Sequence, residues 1–301
     1  MTNDTPDWLT AGQGIAPQVR WSCAMDAPLA CLDLARETGD VLAADAAGGL
    51  YRFDRTGKIV SLSRGMQGIR ELAWSDTGSG GAALLGESRL CRINQDLGIE
   101  WSIDFDDATF AVATDPFGRY IAVSLSNGGN LIFGSNKKRV SVFETARPLR
   151  YLQFVVSKTD IVGAAEYGLI CRHQLNGSRV WNEKLWSNVG DISVSGNGKA
   201  IVLASFNHGI QCYNGNGAHR SSYVIDGTAN HAAASFTADR VVATTLERKL
   251  YWLDSDGQML WATLADDDFR QVLVDPLGEW IVCGFEGGRV MRLDWGGSQP
   301  K

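Results

Sequence analysis

Hydrophobic residues in this chain come in short runs that alternate with polar positions and then stop at a turn. The segment LYWLDSDGQMLW, residues 250–261, shows the unit most clearly. Leu250 and Trp252 alternate with Tyr251 and Leu253 as the two faces of one strand, because successive strand side chains point to opposite sides. The Asp-Ser-Asp-Gly stretch predicts a tight turn, since Gly accepts positive φ and Asp bonds to nearby backbone. A second strand then runs to Trp261. The same unit recurs as LYRFDRTGKIVS (50–61), LCRINQDLGIEW (90–101) and LICRHQLNGSRVW (169–181).

The repeat has a period of 40 residues, with units beginning at Ala30, Arg70, Phe110, Arg150, Gly190, Asn230 and Arg270. The third position of each unit is Leu32, Leu72, Val112, Leu152, Ile192, Ala232 or Val272, all apolar. The fifth is Leu34, Trp74, Thr114, Phe154, Val194, Ala234 or Val274, apolar except for Thr114. These columns mark the buried face of a first strand, a. Turn signals follow it, as in DPFGR (115–119), SGNGK (195–199) and DPLGE (275–279). Strand b is apolar on both faces, as in VLAAD, IVLAS and WIVCG, which predicts a strand covered on both sides. Strands c and d complete the unit. Four antiparallel strands per unit, in seven units, predict an all-β chain folded as a seven-bladed β-propeller. One such sheet cannot bury both of its faces alone; a closed ring of them can.

The seventh unit ends near Trp295, after strand c. QVRWSCAM (18–25) reads like the d strands IEWSID, RVWNEK and MLWATL. The N-terminal strand is therefore expected to complete blade 7 and remove the ring's open edge. The expected organisation is an N-terminal tail (1–17) docked through Trp8 and Leu9, a propeller (18–295) and a C-terminal tail (296–301).

These units resemble two related propeller families. DPFGRYIAVSLSNGG and DPLGEWIVCGFEGGRVMRLDW are similar to WD40 repeats, and LYWLDSDGQMLW is similar to the PQQ-type quinoprotein repeat. The resemblance spans residues 18–295 and implies the propeller fold. By analogy of fold it implies a non-catalytic protein-interaction scaffold. The chain lacks the Gly-His and Trp-Asp pairs of typical WD40 repeats. It also lacks the adjacent cysteine pair of PQQ-dependent alcohol dehydrogenases, so no cofactor is expected.

Charge and motifs narrow the function further. The formal net charge is -6, which disfavours nucleic acid as a partner. No stretch of 18 apolar residues and no basic-then-apolar leader is present, so neither a membrane span nor a signal peptide is expected. The 6 cysteines form no C-x-x-C and sit among apolar strand residues as small hydrophobes, which fits a reduced, cytoplasmic setting. Phosphate-loop, nucleophile-elbow, zincin and EF-hand motifs are all absent.

Three sets of residues are candidates for function. The second position of the unit reads Cys31, Glu71, Ala111, Tyr151, Asp191, His231 and Gln271, a ring expected to face the central channel. Glu71, Asp191 and His231 could ligate a divalent metal there, which is the basis of an alternative function as a metal-dependent hydrolase or lyase. The competing reading is a polar ring bonded to water and to itself. Arg52, Arg92, Arg172 and Arg292 recur in strand c. Their spread around the ring favours stems packed between blades and heads paired with a carboxylate such as Asp54 or Asp294, rather than one basic surface.

The third set lies on the face shared by the d–a and b–c loops. It comprises Asp104, Phe105, Asp106, Asp107, Tyr167, Trp186, Asp266, Asp267, Asp268 and Phe269. Exposed aromatics with a charged rim suit recognition of a protein or peptide, and the carboxylates suit a basic segment within it. The two acidic loops stand four blades apart in sequence, on nearly opposite sides of the channel mouth.

Overall fold

Each 40-residue unit folds into one antiparallel sheet in the computed structural model, which describes residues 5–296. Blade 1 has strands a to d at Leu29–Leu34, Val41–Asp45, Gly49–Phe53 and Ile59–Arg64. Strand a of blades 2 to 7 is Ile69–Trp74, Thr109–Thr114, Tyr151–Phe154, Val189–Val194, Ala229–Ala234 and Phe269–Val274. The expected closure is present: Gln18–Ala24 pairs with Arg289–Asp294 and forms the outermost strand of blade 7.

The N-terminal segment does more than trail behind that strand. Asp7–Thr10 forms one helical turn that buries Trp8 and Leu9 between blades 6 and 7. Gln13–Gly14 then adds a fifth strand to blade 6 along Met259–Leu264. The expected C-terminal tail lies outside the described residues beyond Gly296.

The core is a ring of seven apolar clusters, each formed by facing surfaces of adjacent blades. Strand b is buried in every blade because a neighbouring sheet covers each of its faces. The indoles of Trp21, Trp101 and Trp181 on strand d reach across to the c–d turn of the next blade, donating to the carbonyls of Arg55, Ser135 and Gly215. Gly217 in that turn has φ +84, and a Cβ there would sit 2.8 Å from the Trp181 ring, so the turn needs glycine for both conformation and space.

The strand-c arginines act as staples between blades. Arg52 pairs with Asp40, Arg92 with Glu100, Arg172 with Asp160 and Arg292 with Asp294. Each also donates to a turn carbonyl of the next blade, at Gln95, Gly118, Gly215 and Arg55 respectively. Asp54 is not the partner of Arg52; its carboxylate caps its own turn through the N–H groups of Thr56 and Lys58.

Candidate functional site at the channel mouth and loop-rich face

Strand a is the innermost strand of every blade, so one of its edges faces the channel with no neighbouring strand. Its N–H groups need other partners. Side chains of the preceding blade supply them. Glu71 accepts from the Val112 N–H at 3.0 Å, Gln271 from Leu32 at 3.1 Å and Asp191 from Ala232 at 3.4 Å. One step deeper, Asp33 accepts from Trp74 at 2.6 Å, Gln153 from Val194 at 2.7 Å and Ser193 from Ala234 at 3.0 Å. The polar column of the repeat is thus a set of inter-blade clasps around a channel cavity of about 290 Å³.

This arrangement accounts for the three metal candidates. His231 Nδ1 lies 3.5 Å from Asp191, but Glu71 is turned toward Val112 and toward Arg150 at 3.6 Å. Among the described residues no three His, Cys, Asp or Glu side chains converge on a metal-holding position. The channel geometry therefore does not favour the hydrolase or lyase alternative. Burial pushes the Glu71 carboxyl up to about 7 against the pull of the Val112 N–H, Arg150 and Arg70. Burial likewise pushes Asp33 up to about 6, opposed by the N–H groups of Trp74 and Leu34.

The register of strand a brings a further set of residues to the same opening. The pairing of strands a and b is bulged at the first residue of the repeat unit, as at Ala30, Arg70, Phe110 and Arg270. A bulge inserts one residue and re-aims its side chain. Arg70 and Arg270 accordingly line the channel cavity along with the expected ring, and Arg150, just ahead of the unbulged strand a of blade 4, joins them. Sequence reading passed over them because strand alternation assigns only every second residue to the channel. Their signal was present in the same 40-residue register, three arginines in the column before the polar one.

The loop candidates separate into three groups. Trp186 is 70% exposed and Tyr167 39% exposed, both on loops of blade 4. The Lys184 ammonium stands 3.8 Å over the Trp186 ring and the Arg147 guanidinium 5.8 Å over Tyr167. Asp104, Asp106, Asp266 and Asp268 are exposed at the rim, and Asp107 and Asp267 are half-buried. Asp104 and Asp266 are bound by the Arg89 and Arg289 guanidiniums, which hold both carboxyls below the usual range. Asp107 accepts from the Asn127 amide and Asp267 from the Gly287 N–H. The third group faces inward. Phe269 is 4% exposed and packs on Phe285 with ring centres 5.0 Å apart, so it belongs to the core and not to the face. Phe105 is half-buried against Phe133.

No family model matches the chain, and no curated protein matches it in sequence. Among solved structures, the crystal structure of the Myceliophteria thermophila Cps50 (Swd1) β-propeller domain is similar, with a TM-score of 0.80. The match covers 92% of this chain and 99% of that one at 14% identity. By fold this is a seven-bladed β-propeller. At that identity the likeness carries the architecture of the blades and not the chemistry of their loops.

Proposed function

We propose that the protein is a non-catalytic interaction scaffold that binds a protein or peptide on the loop-rich face, anchored on blade 4. The observation that carries this reading is Trp186. Trp8, Trp21, Trp74, Trp252, Trp261, Trp280 and Trp295 are all buried, whereas Trp186 stands 70% exposed. A large apolar side chain held in water by a folded loop gains most when a partner covers it, and tryptophan is prominent among interface anchors. Val224 at 94% exposure, in the d–a loop after blade 5, and Leu246 at 57%, in the b–c turn of blade 6, are further exposed apolar side chains.

The rim adds direction. Asp106 and Asp268 are exposed on opposite sides of the mouth, so a ligand that meets both is extended. Rim carboxylates speed the approach of basic flanking residues, an effect that salt weakens. Apolar side chains are exposed on the opposite face too, at Phe117 and Leu277 in the a–b turns, which makes the choice of face testable. Hydrogen exchange measured with and without a captured partner should show protection at residues 165–169, 184–188 and 224–228. Protection confined to 115–119 and 275–279 would refute the assignment.

A further inference from the structure

Basic side chains on the loop-rich face are treated in two ways. Toward the outside they are paired with carboxylates: Arg64 with Asp26, Arg89 with Asp104, Lys249 with Asp226 and Arg289 with Asp266. At the channel mouth the pattern changes. Arg70 and Arg270 are exposed and have no ion-pair partner among the described residues. Arg150 lies 3.6 Å from Glu71 and 3.9 Å from Glu166.

All three guanidiniums are nevertheless held in place. Arg270 Nε donates to the Ala30 carbonyl at 2.7 Å, Arg70 Nη2 to the Thr109 carbonyl at 2.8 Å, and Arg150 Nη1 to the Phe110 carbonyl. Carbonyl dipoles orient a guanidinium without cancelling its unit charge. Each guanidinium has five N–H donors, so donors remain after these bonds. Of the carboxylates nearest the mouth, Asp191 accepts from the Ala232 N–H, and Glu71 is shared between the Val112 N–H and Arg150. Arg70, Arg150 and Arg270 sit on blades 2, 4 and 7, so successive arginines are separated by two, three and two blade steps. Arg147 and Lys184, standing over Tyr167 and Trp186, extend the positive charge from the mouth to the proposed anchor on blade 4.

We propose that the channel mouth is an oxyanion subsite, in which Arg70, Arg150 and Arg270 hold a carboxylate or phosphate group presented by the partner. The proposal rests on reading the loop-rich face as the binding face. Guanidinium forks match the paired oxygens of carboxylate and phosphate, and the bonds are charge-assisted. Guanidinium donors approaching from three sides suit the tetrahedral phosphate better than the planar carboxylate. The anionic group would enter at the centre while basic flanks of the same segment meet the acidic rim.

The test uses the full chain with inorganic phosphate and with acetate, each titrated at constant ionic strength against chloride, read by calorimetry and by melting temperature. Saturable binding of either anion beyond chloride is expected. The stronger of the two tells whether the natural group is a phosphate or a carboxylate. The double variant R70Q/R270Q should weaken binding about tenfold or more, as expected for lost hydrogen bonds between charged groups, while R64Q leaves it unchanged. If the double variant does not fold, R270Q alone should weaken binding about threefold, because the Gln amide still reaches for the Ala30 carbonyl. No saturable binding by the unaltered protein, or equal binding by R270Q, would overturn the proposal. Anion binding that survives while W186A fails to weaken a captured partner would instead count against the binding-face reading and leave the subsite standing.

Discussion

Blades 6 and 4 share one strand plan but handle aromatic surface in opposite ways. Blade 6 carries a fifth strand, Gln13–Gly14, and stands beside the blade where the two ends of the chain meet. Trp8, Trp252, Trp261 and Trp295 are buried together there, with the Trp252 and Trp295 rings stacked at 4.7 Å. Blade 4 has the shorter strands Tyr151–Phe154, Ile161–Ala164 and Ile170–His173, and its loops hold Trp186 and Tyr167 out in water. A ring closed without a covalent link needs extra burial at its seam, because each blade is stable only with both neighbours in place. Surface that folding does not need can be left for a partner. The contrast places stability at the seam of blades 6 and 7, and the proposed function puts recognition on blade 4.

The contrast breaks most severely at the seam. Deleting residues 1–27 removes the closing strand and leaves Arg289–Asp294 unpaired on one side. Loss of the cooperative melt, with aggregation, is expected, since an open apolar strand edge templates pairing with other chains. A truncated chain that melts like the parent would show that closure is not needed. A milder version is Leu9→Ala, which empties a fully buried site between blades 6 and 7. A loss of about 2–5 kcal/mol in denaturant unfolding is expected.

The channel clasps give a smaller effect with a distinctive sign. Glu71 has its carboxyl pushed up to about 7 from an ordinary 4.5, chiefly by burial. Between those values the folded protein holds a proton that the unfolded chain has released. Stability is therefore full below the lower value and falls as pH rises through the upper one. Glu71→Gln keeps an oxygen to accept the Val112 N–H and removes the titration. The variant should lose about 1–2 kcal/mol less than the parent between pH 5 and pH 8, a figure discounted for partial exposure. Equal pH profiles would mean that Glu71 stays ionised in the folded ring.

The architecture could be read from the chain because one column of apolar residues recurs at every fortieth position, and Gln18–Ala24 carries a strand-d pattern with no other blade to belong to. The site was legible only in part. The exposure of Trp186 and Tyr167 could be expected because both fall in loops. Phe269 was misplaced because it is the first residue of strand a, where the chain already dips under Phe285. The clasping role of Glu71 and Asp191 depends on contacts between blades, across 41 residues, which a single unit does not display. Arg70 and Arg270 reach the mouth through a bulge that a strict period of two conceals, and Arg150 stands just ahead of its strand.

The comparison of the two regions comes down to one side chain whose removal should affect binding and not folding. Trp186→Ala deletes an exposed indole whose one aromatic contact of note is the Lys184 ammonium above it. The melt of this variant should match that of the parent within about 0.5 kcal/mol, as for surface substitutions generally. Its Kd for the captured partner should rise by at least tenfold, or about 1.4 kcal/mol, mainly through faster dissociation. An unchanged Kd for Trp186→Ala, with Leu277→Ala on the opposite face raising it instead, would contradict the account.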